Sequence, residues 1–323
     1  MAPELAERFA RAALLRYGIP EDAPLDLLNI SENATYCVEE PASGRRAILR
    51  VHRPDYSPVP DILSELAWTA ALRTEADVRT AAVVPAVDGA EVVEVAPDAD
   101  QIPRACVMFE LLPGTEPPES DLEPWFERLG AISARMHHHA RSWTPPPGFV
   151  RRTWDVDTTI GAHGHWGPWQ GAPGVGAEQE DLFGRVTSHV ETRLRAYGRG
   201  RDRFGLVHAD LRLANLLVEA ESIAVIDFDD CGYSWYLYDL ATALTFLEHT
   251  PAAPALVEAW VNGYRRVEPL SSDDLDEIST FLMLRRLLVL AWINSHEETE
   301  LAASQARSYT AATVDLASRY LER

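Results

Sequence analysis

The sequence predicts an α+β protein with two lobes, a small strand-rich lobe followed by a larger helical lobe. Three observations lead to this prediction. The chain has 323 residues, enough for two lobes when a domain takes about 100–200 residues. Its first 112 residues consist mainly of short apolar runs with a period of two, and helical periodicity dominates from residue 123 onward. Pro113 and Gly114 separate the two patterns, so lobes are predicted over 1–112 and 113–323.

The strand-rich lobe begins with a helix in residues 1–18, where apolar side chains recur at helical spacing. Alternating apolar residues then predict two strands joined by a polar turn at 31–34, with a third strand after them. A helix at 61–73 follows three prolines, and further apolar runs lead to the end of the lobe. The predicted strands are 25–30, 35–39, 46–52, 83–87, 92–95 and 105–112.

The second lobe is predicted to be helical, with one irregular insert and two short strands. The insert spans 145–176 and is rich in proline, glycine, histidine and tryptophan. The strands, 216–218 and 224–228, lie on either side of a short turn. The predicted helices are 124–139, 181–197, 237–248, 255–267, 274–295 and 310–321.

The composition is that of an ordinary globular protein, with 46% hydrophobic and 24% charged residues. The net charge of −21 argues against nucleic acid as a partner, because clustered cations bind phosphate backbones. All 29 basic residues are arginine. The absence of lysine excludes a Walker A phosphate loop and a catalytic Schiff base, since both need that side chain. The acidity is compatible with a cationic substrate, although it also promotes solubility.

The cysteine pattern predicts a reducing compartment and no structural metal. Cys37, Cys106 and Cys231 are far apart, odd in number and without CxxC spacing. The first residues lack the pattern of a signal peptide, and no continuous apolar stretch reaches the ~18 residues of a membrane span. We therefore expect a cytoplasmic protein without a membrane partner.

Two nearby segments carry the residue types that phosphoryl transfer requires. Residues 208–215 read His-Ala-Asp-Leu-Arg-Leu-Ala-Asn, and residues 226–229 read Ile-Asp-Phe-Asp. Asp210 would accept the proton of an acceptor hydroxyl, whereas Asn215 and Asp227 offer the oxygen ligands that Mg²⁺ prefers. The first segment alone could be a turn with a hydrogen-bonded Asp and Asn. The apolar strand and the second acidic segment that follow it favour a catalytic site.

These segments resemble those of the aminoglycoside phosphotransferase superfamily, which includes choline kinase-like, homoserine kinase-like and stress-response kinase-like proteins. The resemblance extends over nearly the whole chain and is strongest at 205–247. It implies a protein-kinase-like bilobal fold, with a small antiparallel sheet in the N-lobe and a mainly helical C-lobe. It also implies ATP as the phosphoryl donor, with GTP as an alternative, and Mg²⁺ as the metal.

Carried over residue by residue, the resemblance makes Asp210 the catalytic base and makes Asn215 and Asp227 the metal ligands. Asp239 matches an aspartate that braces the catalytic loop from the following helix. His208 matches a histidine that supports the loop and does not act as a base.

The cations of the site depart from the pattern of protein kinases. Arg50 takes the position of the strand lysine, and its forked guanidinium can contact phosphate at two points. Glu65 on the next helix is its predicted partner; the alternative is an exposed arginine and a surface glutamate. Arg212, two residues after the base, matches a cation that neutralises the transferring phosphoryl group in protein kinases.

Five more residues complete the predicted nucleotide site. The turn containing Ser31, Asn33 and Thr35 replaces the glycine-rich loop and would bind phosphate through backbone amides and hydroxyls. Residues 108–112 resemble the hinge between lobes, where the backbone of Glu110 and Leu111 would bond to adenine.

The predicted function is ATP-dependent phosphorylation of a small-molecule hydroxyl on an aminoglycoside-like, amino-alcohol, amino-acid or sugar compound. A stress-response-type Ser/Thr protein kinase is one alternative, but no activation segment follows Phe228. A nucleotide-binding pseudokinase is another; the missing lysine and glycine-rich loop favour it, and the intact 208–229 region argues against it. The acceptor, the oligomeric state and the roles of Arg285, Arg286 and Trp292 are left open.

Overall fold

The computed structural model describes residues 3–30, 33–54, 56–98, 101–118, 120–297 and 299–322. Its helices are α1 (Pro3–Leu14), α2 (Val59–Glu75), α3 (Glu123–Ser142), α4 (Val156–Thr159), α5 (Ala177–Tyr197), α6 (Tyr238–Ala243), α7 (Ala253–Arg265), α8 (Ser272–Ser295) and α9 (Glu300–Leu321). Its strands are β1 (Leu25–Ile30), β2 (Ala34–Glu39), β3 (Arg46–Val51), β4 (Arg79–Thr80), β5 (Val93–Val95), β6 (Arg104–Glu110), β7 (Phe204–Val207), β8 (Leu216–Glu219), β9 (Ser222–Val225) and β10 (Gly232–Trp235). This mixture, with its small antiparallel sheet, confirms the predicted α+β class.

The chain forms two compact units, and both are discontinuous in sequence. The first unit comprises Met1–Thr115, Thr144–Arg151 and Leu217–Asp229. The second comprises Glu116–Trp143, Arg152–Leu216 and Asp230–Arg323. The two later segments of the first unit are attached by hydrogen bonds, which chain order alone does not reveal. The amide of Val150, for example, donates to Ser64 Oγ of α2 at 2.9 Å.

A five-stranded sheet with the order β1-β2-β3-β6-β5 is the centre of the first unit. On one face α1 buries Phe9 in a cluster with Leu49 of β3. On the other face α2 buries Leu66 beside Val107 of β6. Successive side chains of a strand point to opposite faces. Leu49 faces α1, so the next residue, Arg50, faces α2, and its cross-strand neighbour there is Val107.

A second, three-stranded sheet with the order β4-β9-β8 leads the chain to the acidic segment. Strand β4 runs parallel to β9, with Arg79 opposite Ala224. Beyond β9, Phe228 is buried and meets Trp68 of α2 edge to face, with ring centroids 5.8 Å apart. This ring contact holds the backbone at Phe228, the residue directly after Asp227.

The second unit contains the antiparallel ribbon of β7 and β10 and the larger set of helices. Val207 at the end of β7 pairs with Gly232, so the loop at 208–215 starts at a fixed point. Helices α3 and α7 approach so closely that a Cβ on Gly130 would lie 2.0 Å from the carbonyl oxygen of Trp260. A Cβ on Gly263 would lie 1.8 Å from the carbonyl oxygen of Glu127, so neither position tolerates a larger residue.

Helix α8 lies in the core of the second unit. Among the residues that the structure describes, it is the one helix long and apolar enough to span a membrane by length and composition. However, 72% of its most apolar window is buried inside the protein, as in the core helix of a globular fold.

Some predicted elements were wrong. Residues 83–87 are not a strand; Val83 forms one isolated bridge with Phe109, because Pro85 has no amide to continue a ladder. The helix predicted over 237–248 ends at Ala243, and Phe246 has a φ of 70° that a right-handed helix cannot contain. Strands β7 and β10 were missed, since each has only four residues and contains a glycine.

Candidate active site

The loop that follows β7 is braced by a buried carboxylate of α6. Asp239 is fully buried and accepts hydrogen bonds from the amides of His208 at 3.2 Å and Ala209 at 2.8 Å. The ring Nε2 of His137 on α3 lies 2.9 Å from the same carboxylate. Burial lowers the pKa of His137 and keeps the ring neutral, so Nε2 carries the proton that it donates. The brace stabilises a strained backbone, because Ala209 has a φ of 67°.

The carboxylate of Asp210 is held by three side chains of the second unit. Asn215 Nδ2 donates to Oδ2 at 3.1 Å and to the Asp210 carbonyl at 2.7 Å. Arg285 Nη2 donates to Oδ1 at 3.0 Å, and Arg212 Nε lies 3.2 Å from the carboxylate. Asp210 retains 18% side-chain exposure. The predicted base therefore has a fixed orientation and remains accessible.

The amide of Asn215 fits a metal ligand. Its nitrogen is committed to Asp210, so its Oδ1 is the atom left to coordinate a cation. The amide orientation follows from this bonding pattern, because only the nitrogen can donate to two oxygens.

Arg285 is a site residue that the sequence did not assign. It lies in the middle of α8 with a side-chain exposure of 5%, so it does not extend to solvent as a surface arginine would. Its Nε donates to Thr245 Oγ1 at 3.1 Å and its Nη1 to Tyr238 Oη at 3.2 Å. The signal in the sequence was a pair of arginines inside a long apolar helix.

In the first unit, Arg50 and Glu65 form the pair that the sequence predicted. Arg50 Nη2 donates to Glu65 Oε1 at 2.6 Å, and both side chains are buried. Burial lowers the pKa of Arg50, but the neighbouring carboxylates outweigh it and raise that pKa above its usual value. The guanidinium also lies over the ring of Phe109 and 3.9 Å from a carboxylate oxygen of Asp227.

The two aspartates of the Ile-Asp-Phe-Asp segment differ in burial: the first is exposed and the second is buried. Asp227 has a side-chain exposure of 56% and a φ of 62°, so its carboxylate is presented on a strained backbone. Asp229 is buried and accepts hydrogen bonds from Asn33 Nδ2 at 3.0 Å and Ser57 Oγ at 3.4 Å. Its carbonyl accepts from Arg151. Burial raises the pKa of Asp229, but Arg50 and the other neighbours outweigh it and hold that pKa low.

His52 completes this buried cluster without being charged. Burial and the nearby Arg50 lower its pKa to about 3, so the 3.9 Å approach of its Nδ1 to Asp229 is not an ion pair. Some buried polar atoms here have no hydrogen-bond partner among the described residues. They are Arg50 Nε, Glu65 Oε2 and both ring nitrogens of His52. Such atoms are uncommon in folded proteins and indicate bonding capacity for water or a ligand.

The other predicted nucleotide residues have mixed settings. Ser31 lies outside the described residues. The side chain of Asn33 is occupied, since its oxygen also accepts from the amide of Arg53 at 3.4 Å. Thr35 lies directly opposite Arg50 in the sheet. At the predicted hinge, the amide of Glu110 donates to the Ala82 carbonyl at 2.8 Å, and Leu111 follows the end of β6.

Comparison with known proteins decides the family. The model of the phosphotransferase enzyme family APH matches residues 28–274, well over half of the chain. The chain belongs to this family. This membership confirms the resemblance and the enzyme class predicted from the sequence: the protein is an ATP-dependent phosphotransferase of the APH family with a protein-kinase-like fold.

Individual members of the family are similar over almost the whole chain. A microcompartment-associated aminopropanol kinase of known structure is 47% identical, with a TM-score of 0.89 and coverage of 97% of both chains. The amicoumacin kinase of Bacillus subtilis (strain 168) is 27% identical over 295 residues, which are 88% of this chain and 83% of that protein. An amicoumacin kinase solved with AMP-PNP, Ca²⁺ and Ami has a TM-score of 0.79 at 22% identity, covering 98% of this chain and 96% of that one.

Proposed function

We propose that this protein transfers the γ-phosphoryl group of ATP to the hydroxyl of a small amino alcohol such as aminopropanol. The observation that carries the proposal is the 47% identity with an aminopropanol kinase over 97% of both chains. The net charge of −21 supports a cationic acceptor. Each of the three cysteines is a buried thiol in the described part of the chain, which supports the cytoplasmic location expected from the sequence.

Asp210 is the proposed base. The acceptor oxygen forms a bond to Pγ of ATP, the bond from Pγ to the bridging oxygen breaks, and ADP leaves. The hydroxyl proton passes to the Asp210 carboxylate. Each carboxylate oxygen has two lone pairs, of which Arg285 and Asn215 occupy one each. One lone pair per oxygen remains, and Arg212 approaches both oxygens at 3.2 Å.

Arg212 is the proposed cation for the transferring phosphoryl group. It is 32% exposed, whereas the other arginine on Asp210 is buried. Its contact with Asp210 competes with the acceptor hydroxyl for the same lone pairs. We infer that Arg212 leaves the base for the more highly charged phosphate when the nucleotide binds, which opens Asp210 to the acceptor.

Asn215 and Asp227 are the proposed ligands of Mg²⁺. The donor set fits a hard cation, because it consists of an amide oxygen and an exposed carboxylate. When bound, the metal neutralises charge on the nucleotide phosphates. The Ca²⁺ in the related amicoumacin kinase supports a divalent ion.

The remaining predicted residues form the proposed nucleotide site. Arg50, held by Glu65, binds phosphate, and its Nε supports this role because it has no hydrogen-bond partner in the part of the chain that the structure describes. Ser31, Asn33 and Thr35 contribute backbone amides and the Thr35 hydroxyl. The backbone of Leu111, with that of Glu110, takes the adenine. ATP is the proposed donor, with GTP as the alternative.

A panel of acceptors tests the proposal by ADP release with Mg²⁺ and ATP or GTP. Aminopropanol should support turnover with ATP, propylamine should not, and propanol should be a much poorer acceptor because it lacks the amine. A preference for amicoumacin would favour an antibiotic kinase, since a relative at 27% identity has that activity. Transfer to a protein such as casein, or nucleotide binding without turnover on any acceptor, would contradict the proposal.

A further inference from the structure

We propose that Arg285 is a positioning residue that holds the Asp210 carboxylate in the orientation needed to accept a proton. This inference rests on the proposed function, in which Asp210 is the base. The two residues are 75 positions apart, and their contact joins the middle of α8 to the catalytic loop. The orientation of Asp210 thus depends on a side chain outside the 208–215 loop.

The geometry fixes the guanidinium from three directions. Nη2 donates to Asp210 Oδ1 at 3.0 Å, Nη1 to Tyr238 Oη at 3.2 Å and Nε to Thr245 Oγ1 at 3.1 Å. The plane of the guanidinium also packs near the ring of Trp166, with its centre 5.6 Å from the ring centroid. Each nitrogen therefore has its own partner, so the group presents one N–H to Asp210 in one direction.

The charge of Arg285 explains why this contact is strong. A buried cation loses its hydration and is retained only when it is paired. Of the three groups that Arg285 bonds, Asp210 is the one with a full negative charge. Burial lowers the pKa of Arg285, but Tyr238 and Asp210 outweigh it and raise that pKa. The cation and the base carboxylate therefore hold each other in place.

Both carboxylate oxygens of Asp210 accept hydrogen bonds from buried donors. Arg285 holds Oδ1, and Asn215 holds Oδ2 at 3.1 Å. Two donors on different oxygens fix the plane of the carboxylate, which a single bond would leave free to rotate. Removing Arg285 leaves Asn215 and the more exposed Arg212 as the remaining donors on Asp210.

The neighbouring arginine provides a matched control. Arg286 is as deeply buried, but it bonds to Glu248 at 3.0 Å, Thr313 at 2.8 Å and the Tyr309 carbonyl at 2.8 Å. None of these groups belongs to the catalytic loop. The pair Arg285→Lys and Arg286→Lys therefore separates a positioning role from a general need for buried arginines in α8.

The kinetic test compares wild type, Arg285→Ala, Arg285→Lys and Arg286→Lys with aminopropanol as acceptor. Misplacing a catalytic group by about 1 Å costs roughly 10²-fold in rate. We expect kcat to fall about 10²-fold in Arg285→Ala and about 10-fold in Arg285→Lys, with KM for ATP unchanged. Added guanidinium at millimolar concentration should restore part of kcat in Arg285→Ala. Arg286→Lys should lower Tm with kcat unchanged.

A kcat for Arg285→Ala within three-fold of wild type would overturn the inference. A loss of kcat that only parallels a loss of folded protein, without rescue, would also overturn it. The crystal structure of Arg285→Lys tests it independently of any acceptor. We expect the Asp210 carboxylate to turn out of its contact with Asn215, and an unmoved carboxylate would contradict the inference. If the wild-type protein does not phosphorylate amino alcohols, the proposed function fails. The crystal structure of Arg285→Lys still decides the role of Arg285.

Discussion

The carboxylates of the two units are supported in different ways. In the second unit, the base cluster consists of Asp210, Asn215, Asp239 and Arg285, and each of its carboxylate oxygens accepts at least one hydrogen bond from the protein. In the first unit, the Arg50 cluster of Arg50, His52, Glu65 and Asp229 keeps buried nitrogen and oxygen atoms without hydrogen-bond partners among the described residues.

The difference matches the chemistry proposed for each region. A base needs one orientation before substrate arrives, so its partners are all supplied by the protein. A phosphate site obtains part of its bonding from the ligand, so unused donors remain in the protein alone. Substitutions should therefore affect the rate in the base cluster, and nucleotide affinity and stability in the Arg50 cluster.

The largest effect is expected from Asp210→Asn. The amide keeps the size of the side chain but cannot accept the proton, so kcat should fall about 10³-fold, within the range of general base catalysis. Nucleotide-induced thermal stabilisation should remain, because Arg50 and Asp227 are untouched. Acceptor-dependent ADP release within ten-fold of wild type would refute the base assignment.

Breaking the Arg50–Glu65 pair should lower stability by about 3–5 kcal/mol, because it leaves a buried charge unpaired. Arg50→Met and Glu65→Leu are the single variants, and urea unfolding is the measurement. The double variant should recover most of the stability without recovering nucleotide affinity. Recovery of affinity as well would show that Arg50 does not bind phosphate.

The neutral His52 predicts a pH dependence of stability. Its pKa in the folded protein is about 3, against 6.5 for the unperturbed group. The unfolded chain therefore takes up this proton first, and stability falls as pH drops from 6.5 towards 3. The slope from one such group is at most about 1.4 kcal/mol per pH unit.

His52→Gln should flatten this dependence between pH 7 and pH 5, measured as the urea midpoint at each pH. His137, whose pKa is also lowered by burial, would retain a part of the slope. Equal slopes in wild type and His52→Gln would contradict the neutral state of His52.

The smallest effect is expected at Thr242, which lies on α6 near the Asp239 brace and supports the same loop. Thr242 Oγ1 accepts from the amide of Leu211 at 3.2 Å, and Thr242→Val leaves that buried amide without its acceptor. We expect a loss of about 1 kcal/mol and a modest fall in kcat. Thr187→Val, which removes a hydroxyl bonded within α5, is the control and should change stability by less than about 0.5 kcal/mol. Equal effects would mean that the brace has no special role.

Local motifs carried most of what the sequence could predict. Asp210, Asn215 and Asp227 stand at short, fixed spacings, so their residue types alone suggested a base and metal ligands. The pair of Arg50 and Glu65, 15 residues apart, followed from the resemblance to protein kinases, in which a strand cation pairs with a glutamate of the next helix. Short spacings are informative because the geometry of one strand, helix or loop fixes where its own residues lie relative to one another.

Contacts between distant segments could not be predicted in this way. Arg285 meets Asp210 across 75 residues, and no periodicity of α8 distinguishes it from Arg286. Asn33 was predicted to belong to the nucleotide site, and its side chain bonds to Asp229, 196 residues away, a contact that no local pattern indicated. Only tertiary packing decides which buried donor meets which carboxylate.

The most direct measurement is ³¹P NMR of the product formed by wild type from aminopropanol, ATP and Mg²⁺, beside the same reaction with Asp210→Asn. A phosphomonoester signal that grows with ADP in wild type, and is about 10³-fold slower in the variant, is the predicted result. Inorganic phosphate as the sole product, or equal rates in both proteins, would contradict a kinase that uses Asp210 to activate an amino-alcohol hydroxyl.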